Sequence, residues 1–234
     1  MTETEPGRVS CVVVSWNVES TLGAAIESVL AQTYRPFEVL VVDAQSTDRS
    51  VRIAESFSPP VRVVSIPDNG PAANRNAGML AARGDFLAFL DGDDLWHPEK
   101  LERHMAHFRD RPDLDCSITL VQSFWDDGHE LEAEYYRDHQ RMQPVPGYVM
   151  GAACVRRSAL DRVGPLDESL QFADSADWFI RAEAAGLVVD MLNESLTFHR
   201  FHGTNLTRRR ATEDAAEFAR VLKRRLDRLR ATAR

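Results

Sequence analysis

The chain has 234 residues, of which 44% are hydrophobic and 27% are charged, and its net charge at neutral pH is −8. This mixture is typical of a globular protein and excludes a wholly disordered chain or a collagen-like repeat. The negative charge disfavours nucleic acid as a partner, and no apolar run approaches the roughly 20 residues that a membrane-spanning helix needs.

The first half of the sequence predicts strands that alternate with helices. Short apolar runs rich in β-branched and aromatic residues predict buried strands at 9–15, 37–42, 61–65 and 85–90. Apolar residues at helical spacing predict helices at 19–32, 46–57 and 71–83. Ser46 or Thr47 is the predicted N-cap of the second helix. The alternation favours an α/β fold with a parallel sheet, whose ligands bind beyond the carboxyl ends of the strands.

The second half has a looser pattern. It predicts strands at 114–121, 148–155, 187–191 and 196–198, a helix at 174–185 and an amphipathic helix at 212–230. Residues 208–234 hold ten Lys or Arg and four Asp or Glu, so the C-terminus is basic while the rest of the chain is acidic. Three widely spaced cysteines in apolar surroundings predict reduced core thiols.

The strongest chemical signal follows the fourth predicted strand. Asp91, Asp93 and Asp94 place three carboxylates within four positions, where like charges repel one another. A divalent cation would relieve the repulsion, and Mg²⁺ prefers one or two carboxylates together with phosphate oxygens and water. Asp91 and Asp93 point to the same side of an extended stretch, and Gly92 lets the backbone bend around an ion. A solvated acidic turn that caps the next helix is the simpler alternative.

Taken together, the motifs resemble family 2 glycosyltransferases with the GT-A fold. The resemblance covers about residues 9–205 and depends on the order of several segments. These segments are VVVSWN (12–17), FEVLVVDAQSTD (37–48), NRNAG (74–78), GDFLAFLDGDDLWHPEKL (84–101), ADWFIRAEAAG (176–186) and HRFHGTN (199–205). The family fold is a Rossmann-like, mostly parallel sheet flanked by helices, with a mixed acceptor-side half; a C-terminal amphipathic helix would follow it here.

The resemblance implies a metal-dependent, inverting transfer of a sugar from a nucleotide-diphosphate sugar to a hydroxyl acceptor. A UDP-sugar is the usual donor of the family, and the cofactor would be Mn²⁺ or Mg²⁺. The acceptor would be a saccharide or a lipid-linked molecule in the synthesis of cell-surface polysaccharide, glycolipid or a related glycoconjugate. The chain would then consist of an N-terminal tail at 1–8, a nucleotide-sugar-binding half at 9–110, an acceptor-binding half at 111–206 and a basic helix at 207–234.

The resemblance also assigns roles to individual residues. Asp43 would accept a hydrogen bond from the nucleotide base, and Arg75 would support the nucleotide or order the Asp43 loop. The full set of donor contacts would be Ser15, Asn17, Glu19, Asp43, Arg75, Asp91 and Gly92. The metal would be bound by Asp93, Asp91 and His202. The general base would be Asp174, with Asp177 as the alternative, and Trp125 and Trp178 would lie on the acceptor side.

Two departures from the family pattern bear on these roles. The frequent family segment DDGSTD reads DAQSTD here, so Ala44 replaces an acid and Gln45 replaces a glycine. The expected pair of acids in the second half reads Asp174-Ser175, and a serine occupies the position where the family usually has its base. Recognition of the donor and the identity of the base are the two properties that these departures affect.

Other interpretations remain open from the sequence. A sugar nucleotidyltransferase of related fold is one, although the loop SWNVES after the first strand lacks the glycines and cations that bind a triphosphate. A non-catalytic protein that binds nucleotide sugars is another. The basic C-terminal helix could dock onto its own domain, form a homodimer or make a peripheral membrane contact. The polar N-terminus has no signal-peptide pattern, so we expect a cytoplasmic protein, in the last case at the inner face of the membrane.

Overall fold

A computed structural model describes residues 7–67, 69–126, 134, 142–201 and 211–232. The strands are β1 (Val9–Ser15), β2 (Glu38–Asp43), β3 (Val61–Ser65), β4 (Phe86–Asp91), β5 (Leu95–Trp96), β6 (Cys116–Trp125), β7 (Val145–Pro146), β8 (Ala153–Arg156) and β9 (Val189–Phe201). The helices of the described residues are α1 (Leu22–Leu30), α2 (Ser50–Glu55), α3 (Pro71–Ala81), α4 (Lys100–Asp110), α5 (Arg157–Val163), α6 (Asp174–Ala184) and α7 (Ala211–Thr232).

The first four strands form the parallel part of one sheet, in the order β3-β2-β1-β4. Strands β1 and β2 are almost wholly buried, as their continuous apolar runs predict. In this register Ser15 pairs with Asp43, and Val14 pairs with Asp91. The carboxyl ends of β1, β2 and β4 therefore meet at one edge, and three of the predicted site residues are brought there together.

The rest of the sheet is mixed. Strand β8 runs antiparallel to both β4 and β6, β9 runs parallel to β6, and β5 and β7 pair antiparallel with β9 and β6. Two short strands were predicted where β9 is one continuous strand, because register shifts against β6 absorb the polar residues between the two apolar runs. The pairing of Leu95 with Phe198 carries the end of β9 to the acidic loop.

Helices cover both faces of the sheet, which agrees with the predicted α/β architecture. One apolar cluster includes Leu22 and Ile26 of α1 with Leu101 and Phe108 of α4. The other cluster includes Trp178 of α6 and residues of α3 and α5. All three cysteines are buried free thiols, so that prediction is confirmed. None of the described helices is long and apolar enough to cross a membrane.

Helix α3 packs unusually close to strand β1 at Gly78. A Cβ atom added to Gly78 would lie 2.3 Å from Cγ1 of Val12, far inside the contact distance of two carbon atoms. Only glycine allows this approach, and the helix that is held there also carries Arg75. The packing of one glycine thus sets the depth at which Arg75 enters the site.

The predicted N-cap of helix α2 is wrong. The helix begins at Ser50 and not at Ser46, and the Ser46 hydroxyl donates a hydrogen bond of 2.6 Å to the Asp43 carboxylate. The backbone N–H of Ser50 instead donates to Asp48 Oδ1 at 2.8 Å. Helix α1 likewise begins at Leu22, later than predicted. In both loops the polar side chains connect strand ends, and they leave fewer residues for the helices.

Candidate active site

Asp43 fastens two strand ends together. Its Oδ2 accepts hydrogen bonds from the hydroxyls of Ser15 at 3.0 Å and Ser46 at 2.6 Å, and its Oδ1 accepts from the Ser46 N–H at 2.8 Å. The side chain is almost wholly buried. Because each carboxylate oxygen has two lone pairs, Oδ1 retains capacity for one more donor.

The loop after β1 is tied to the loop after β2 through Asn17 and Glu19. Asn17 donates its N–H to Ser46 Oγ at 2.9 Å, and its Oδ1 accepts from the Thr47 N–H at 2.8 Å. The Glu19 carboxylate accepts from the Arg49 N–H at 2.9 Å. Both residues lie at the edge of the sheet where the nucleotide-sugar donor is expected. Their side chains hold the two loops of that edge together.

Gln45 replaces the glycine of the family segment but has a backbone conformation that glycine adopts easily. Gln45 has a φ of 54°, and Asn17 across from it has a φ of 52°, so both residues are left-handed. This region is costly for side chains other than glycine and asparagine. The turn after β2 therefore has a left-handed residue at the position where the family segment has glycine, at some cost in strain.

Trp16 is a candidate site residue that the sequence analysis did not name. Its side chain is large and apolar, yet 46% of its surface is exposed. It lies directly after β1, between Ser15 and Asn17, and therefore beside the Asp43 network. The available signal was its position, because a tryptophan one residue beyond a buried strand of a parallel sheet points to the ligand edge. An exposed indole face is a suitable surface for a stacked base.

Gly92 supports the acidic loop from beneath. Its N–H donates to the Val14 carbonyl at 2.9 Å, and its own carbonyl accepts from the Thr21 hydroxyl at 2.9 Å. A Cβ atom at this position would lie 2.8 Å from the Val14 carbonyl oxygen. Gly92 is buried and bonded within the protein, so the absence of a side chain has a steric reason there, and its contact with the sugar donor stays a prediction.

Arg75 joins the acidic loop to helix α6. Its Nη2 donates to Asp91 Oδ1 at 2.6 Å and its Nη1 donates to Asp174 Oδ2 at 2.7 Å, while only 7% of the residue is exposed. Burial would lower the pKa of Arg75, but the two carboxylates hold it above its usual value. One guanidinium therefore contacts both Asp91 of β4, a predicted contact of the sugar donor, and Asp174 of α6, the predicted general base.

Asp94 forms a second ion pair in the same loop. His199 Nδ1 lies 3.0 Å from Asp94 Oδ1, and the Arg200 N–H donates to the same oxygen at 3.0 Å. Burial raises the pKa of Asp94 to about 6, although His199 opposes the shift. Burial would lower the pKa of His199, but Asp94 raises it to about 9. Each partner therefore favours the charged form of the other.

Two carboxylates of the loop remain at its surface in a position to meet a cation. Asp91 and Asp93 are both half-buried, and their oxygens are the hard ligands that Mg²⁺ and Mn²⁺ accept. Among the described residues no group of three or more His, Cys, Asp or Glu side chains could hold a metal by itself. Two carboxylates are the number of protein ligands that Mg²⁺ commonly takes together with phosphate oxygens and water, so the residues present fit such an ion. His202 lies outside the described residues.

The two candidate bases have different surroundings. Asp174 contacts Arg75, and its Oδ1 accepts the Ser175 N–H at 2.7 Å. Asp177 Oδ2 instead accepts from Arg181 Nε at 2.7 Å, and Arg181 donates onward to the carbonyls of Val163 and Pro165. Both carboxylates are nearly buried. Asp174 therefore belongs to the cluster around Asp91, whereas Asp177 orders the loop after α5.

The prediction that Trp125 and Trp178 lie on the acceptor side is wrong for Trp178. Trp178 is fully buried in the core and donates its indole N–H to the Gly164 carbonyl at 3.2 Å, so its ring has no surface for an acceptor. Trp125 ends strand β6 half-buried and packs on Phe201, with 5.3 Å between ring centroids. Its position near the end of β9 keeps it as a candidate.

Comparison with known proteins finds similar glycosyltransferases. The sequence model of the family described as glycosyl transferase family 2 matches residues 10–164. An uncharacterised glycosyltransferase of Nostoc sp. is 28% identical over 218 residues, which are 85% of this chain and 66% of the relative. The UDP-Glc:alpha-D-GlcNAc-diphosphoundecaprenol beta-1,3-glucosyltransferase WfaP of Escherichia coli is 26% identical over 211 residues, which are 85% of this chain and 79% of WfaP.

Solved structures share the fold. Residues 1–349 of S. aureus TarS in complex with UDP-GlcNAc superpose with a TM-score of 0.69 at 20% identity, covering 85% of this chain and 60% of that chain. The likeness confirms the predicted GT-A type of sheet and helix arrangement. Against three curated relatives, from Nostoc, Haemophilus influenzae and Bacillus subtilis, this chain spans 64 to 68% of their length.

Proposed function

The chain belongs to glycosyl transferase family 2, and from this premise we propose that it transfers a sugar from a nucleotide-diphosphate sugar to a hydroxyl acceptor with inversion at the anomeric carbon. The observation that carries the proposal is the double ion pair of Arg75. It places Asp91, at the donor edge of the parallel sheet, and Asp174, at the start of α6, on the two sides of one guanidinium.

The donor would lie across the carboxyl ends of β1, β2 and β4. Oδ1 of Asp43 has capacity to accept a hydrogen bond from the base, and the exposed ring of Trp16 offers a stacking face beside it. A diphosphate placed there would extend toward the acidic loop at the end of β4. The nucleotide is proposed to be UDP, since WfaP is named for a UDP-glucose donor.

Asp91 and Asp93 would hold a divalent cation together with the diphosphate oxygens. When bound, such a cation supplies positive charge where the leaving diphosphate gains negative charge. Asp94 does not compete for the cation, because His199 and the Arg200 N–H engage its carboxylate. Arg200 Nε also donates to the Asp93 carbonyl at 2.9 Å, which fixes the backbone beneath that carboxylate.

Asp174 is proposed as the general base that takes the proton from the acceptor hydroxyl. It is joined to the donor side through Arg75, whereas Asp177 is engaged with Arg181 away from that cluster. Oδ1 of Asp174 accepts from both the N–H and the hydroxyl of Ser175, whereas Oδ2 accepts from Arg75 and keeps a lone pair for the acceptor hydroxyl. Because only 3% of Asp174 is exposed, the acceptor must displace neighbouring side chains to reach it.

The acceptor is proposed to be a lipid-linked saccharide in cell-surface glycan synthesis. WfaP is named for an acceptor of this kind, a sugar on diphosphoundecaprenol. Trp125, at the end of β6, would line the acceptor side, because aromatic faces suit sugar rings.

The central test is transfer or hydrolysis of a UDP-sugar with and without Mn²⁺. We expect release of UDP that depends on Mn²⁺ in the wild-type protein and falls at least about 100-fold in Asp93→Asn, since the variant loses a charged ligand of the cation. Glu99→Gln, a change of charge at an exposed ion pair with Arg103 outside the cluster, is the matched control. A protein that binds the donor and releases no UDP under any condition would refute the enzymatic proposal.

We further propose that the outer face of α7 contacts an anionic membrane at its cytoplasmic side. Phe218, Leu222 and Leu226 are exposed along one stripe of a helix with a basic excess. Sedimentation with phosphatidylglycerol vesicles should fall when the three residues are replaced by serine. Equal sedimentation of the wild type with neutral vesicles, or a dimer by light scattering that the same changes dissociate, would oppose the membrane and favour a homodimer.

A further inference from the structure

Helix α6 begins without a side-chain cap of its own. Ala173 is at the N-cap position, and it has no side chain that could accept a hydrogen bond from the first turn. The first helical residue is Asp174. In the first turn, the Ser175 N–H donates to Asp174 Oδ1 at 2.7 Å. The backbone N–H groups just before the helix, which lead into the proposed base, need acceptors from elsewhere in the molecule.

Glu217 of helix α7 supplies these acceptors from 44 residues away. Its Oε2 accepts from the N–H groups of Phe172 at 2.6 Å and Ala173 at 2.9 Å. The Gln171 N–H also donates to it, at 3.0 Å to Oε2 and 3.1 Å to Oε1. Three successive backbone donors converge on one carboxylate, and the last of them belongs to the residue before Asp174.

The contact is buried and supported by packing. Glu217 is only 4% exposed, and Val221 one turn further along α7 packs against Leu170 and Ala173. Burial would raise the pKa of Glu217, but the backbone donors hold it below the usual value. At neutral pH Glu217 is therefore a carboxylate at the positive end of the helix that carries Asp174.

We propose that Glu217 is a positioning residue for the transfer reaction. It would fix the start of α6 so that the Asp174 carboxylate stays at the Arg75 guanidinium, in reach of the acceptor. This inference rests on the proposed function, because positioning matters only if Asp174 takes part in chemistry. It also assigns a purpose to α7 within the site, apart from any partner on its outer face.

The test compares Glu217→Gln with Arg225→Gln on the same helix. The glutamine keeps the size of the side chain but turns an NH₂ group toward backbone donors, whereas Arg225→Gln removes only the exposed ion pair to Glu183. In Glu217→Gln we expect kcat to fall about 10-fold to 100-fold, as for a displaced catalytic group, with the donor KM within about twofold of wild type. Arg225→Gln should match the wild type in both constants.

Hydrogen exchange provides a readout that does not depend on turnover. The amides of residues 171–173 should exchange at least about tenfold faster in Glu217→Gln than in wild type, and Glu217→Asp should lie between them in exchange and in kcat. Wild-type exchange and wild-type kcat in a folded Glu217→Gln protein would overturn the proposal. So would a higher donor KM with unchanged kcat, because that pattern belongs to a donor contact.

The two proposals fail in different ways. If the wild-type protein releases no UDP and transfers no sugar, the proposed function is wrong, and the exchange data still report whether Glu217 caps the helix. If the wild type is active and Glu217→Gln is equally active while its amides exchange faster, the cap exists but does not position the base. That result would overturn this inference and leave the proposed function intact.

Discussion

At the scale of single residues, Arg75 shows why a buried cation can be tolerated near the surface of a protein. Its guanidinium exchanges hydration for two carboxylates, each within 2.7 Å. Removing one partner from such a group costs more than the pair contributes in stability, because the remaining charge stays buried. Substitutions around Arg75 therefore change stability and activity together, and tests of its partners need to separate the two.

Asp174→Asn makes this separation for the proposed base. The amide oxygen can still accept from Arg75, so we expect a loss of about 1–3 kcal/mol in the free energy of unfolding. Transfer should fall at least about 100-fold, since a general base contributes that much, while donor affinity stays within about threefold. Calorimetric titration with a UDP-sugar and steady-state rates measured well below the melting temperature check the two quantities.

Asp177→Asn is the matched comparison. It weakens the bond to Arg181, so it should destabilise the protein but retain most of the turnover. If Asp177→Asn abolishes transfer and Asp174→Asn retains it, the assignment of the base is reversed.

Lys100 makes stability depend on pH above neutrality. It is wholly buried, donates to Thr197 Oγ1 at 2.7 Å and lies 5.3 Å from the ring centroid of Trp96. Burial lowers the pKa of Lys100 to about 7, far below its value in the unfolded chain. Between these two pKa values the unfolded state binds more protons, so the contribution of Lys100 to stability rises with pH from about 7 upward.

Lys100→Met removes this titration while filling a similar volume. The difference in unfolding free energy between wild type and variant should change by up to about 1.4 kcal/mol per pH unit between pH 7 and pH 8.5, in favour of the wild type at the higher pH. Urea unfolding at four pH values measures it, and other groups cancel in the difference. A difference that is constant with pH contradicts the low pKa.

Single residues also mark the limit of reasoning from the sequence. The carboxylates at 91 and 93 could be predicted as site residues because their position after a buried strand is visible in the sequence. The burial of Trp178 could not, because it follows from which neighbours the fold brings near. Trp16 was overlooked although its position one residue after a buried strand is visible in the sequence. Glu217 was also missed, since a contact across 44 residues leaves no local pattern.

At the scale of elements, the close approach of helix α3 to strand β1 positions the helix that carries Arg75. Gly78→Ala would place a methyl group on Val12, so the helix must shift and carry Arg75 with it. We expect a loss of about 1–3 kcal/mol in unfolding free energy, as for other overpacked cores, together with a lower rate of transfer. Thermal and urea unfolding measure the first effect and UDP release the second.

Gly23→Ala is the matched control in helix α1. The nearest atom to its added Cβ is Ile53 Cγ2 at 3.9 Å, an ordinary contact distance. The substitution should stabilise the protein by about 0.4–1 kcal/mol, because alanine restricts the unfolded chain more than glycine does. A Gly78→Ala protein as stable and as active as Gly23→Ala would show that the helix can move away without cost.

Elements of the first half were predictable to within a few residues, and those of the second half less so. Buried parallel strands such as β1 and β2 can be recognised in the sequence as continuous apolar runs. Strand β5 has only Leu95 and Trp96 and exists because β9 pairs with it, so no local pattern predicts it. The ends of α1 and α2 were misjudged because tertiary hydrogen bonds use the loop residues.

At the scale of the whole molecule, one sheet connects the proposed donor and acceptor sides. Strand β8 lies between β4 and β6, so the parallel strands and the mixed strands share one ladder of hydrogen bonds. Helix α7, which follows all the strands in sequence, packs against the start of α6. Parts that lie far apart in sequence therefore support one site, which is why family resemblance identified the fold more readily than it identified the supporting contacts.

The pairing of Asp91 with Arg75 and of Asp94 with His199 has a consequence for when the protein would bind a metal ion. Because Asp91 and Asp94 are paired with cationic side chains of the protein, we expect the fold to be stable without a bound metal. EDTA should leave the melting temperature unchanged even where it stops turnover. The cation would then bind and leave together with each nucleotide, and it would not stay bound to the protein between reaction cycles.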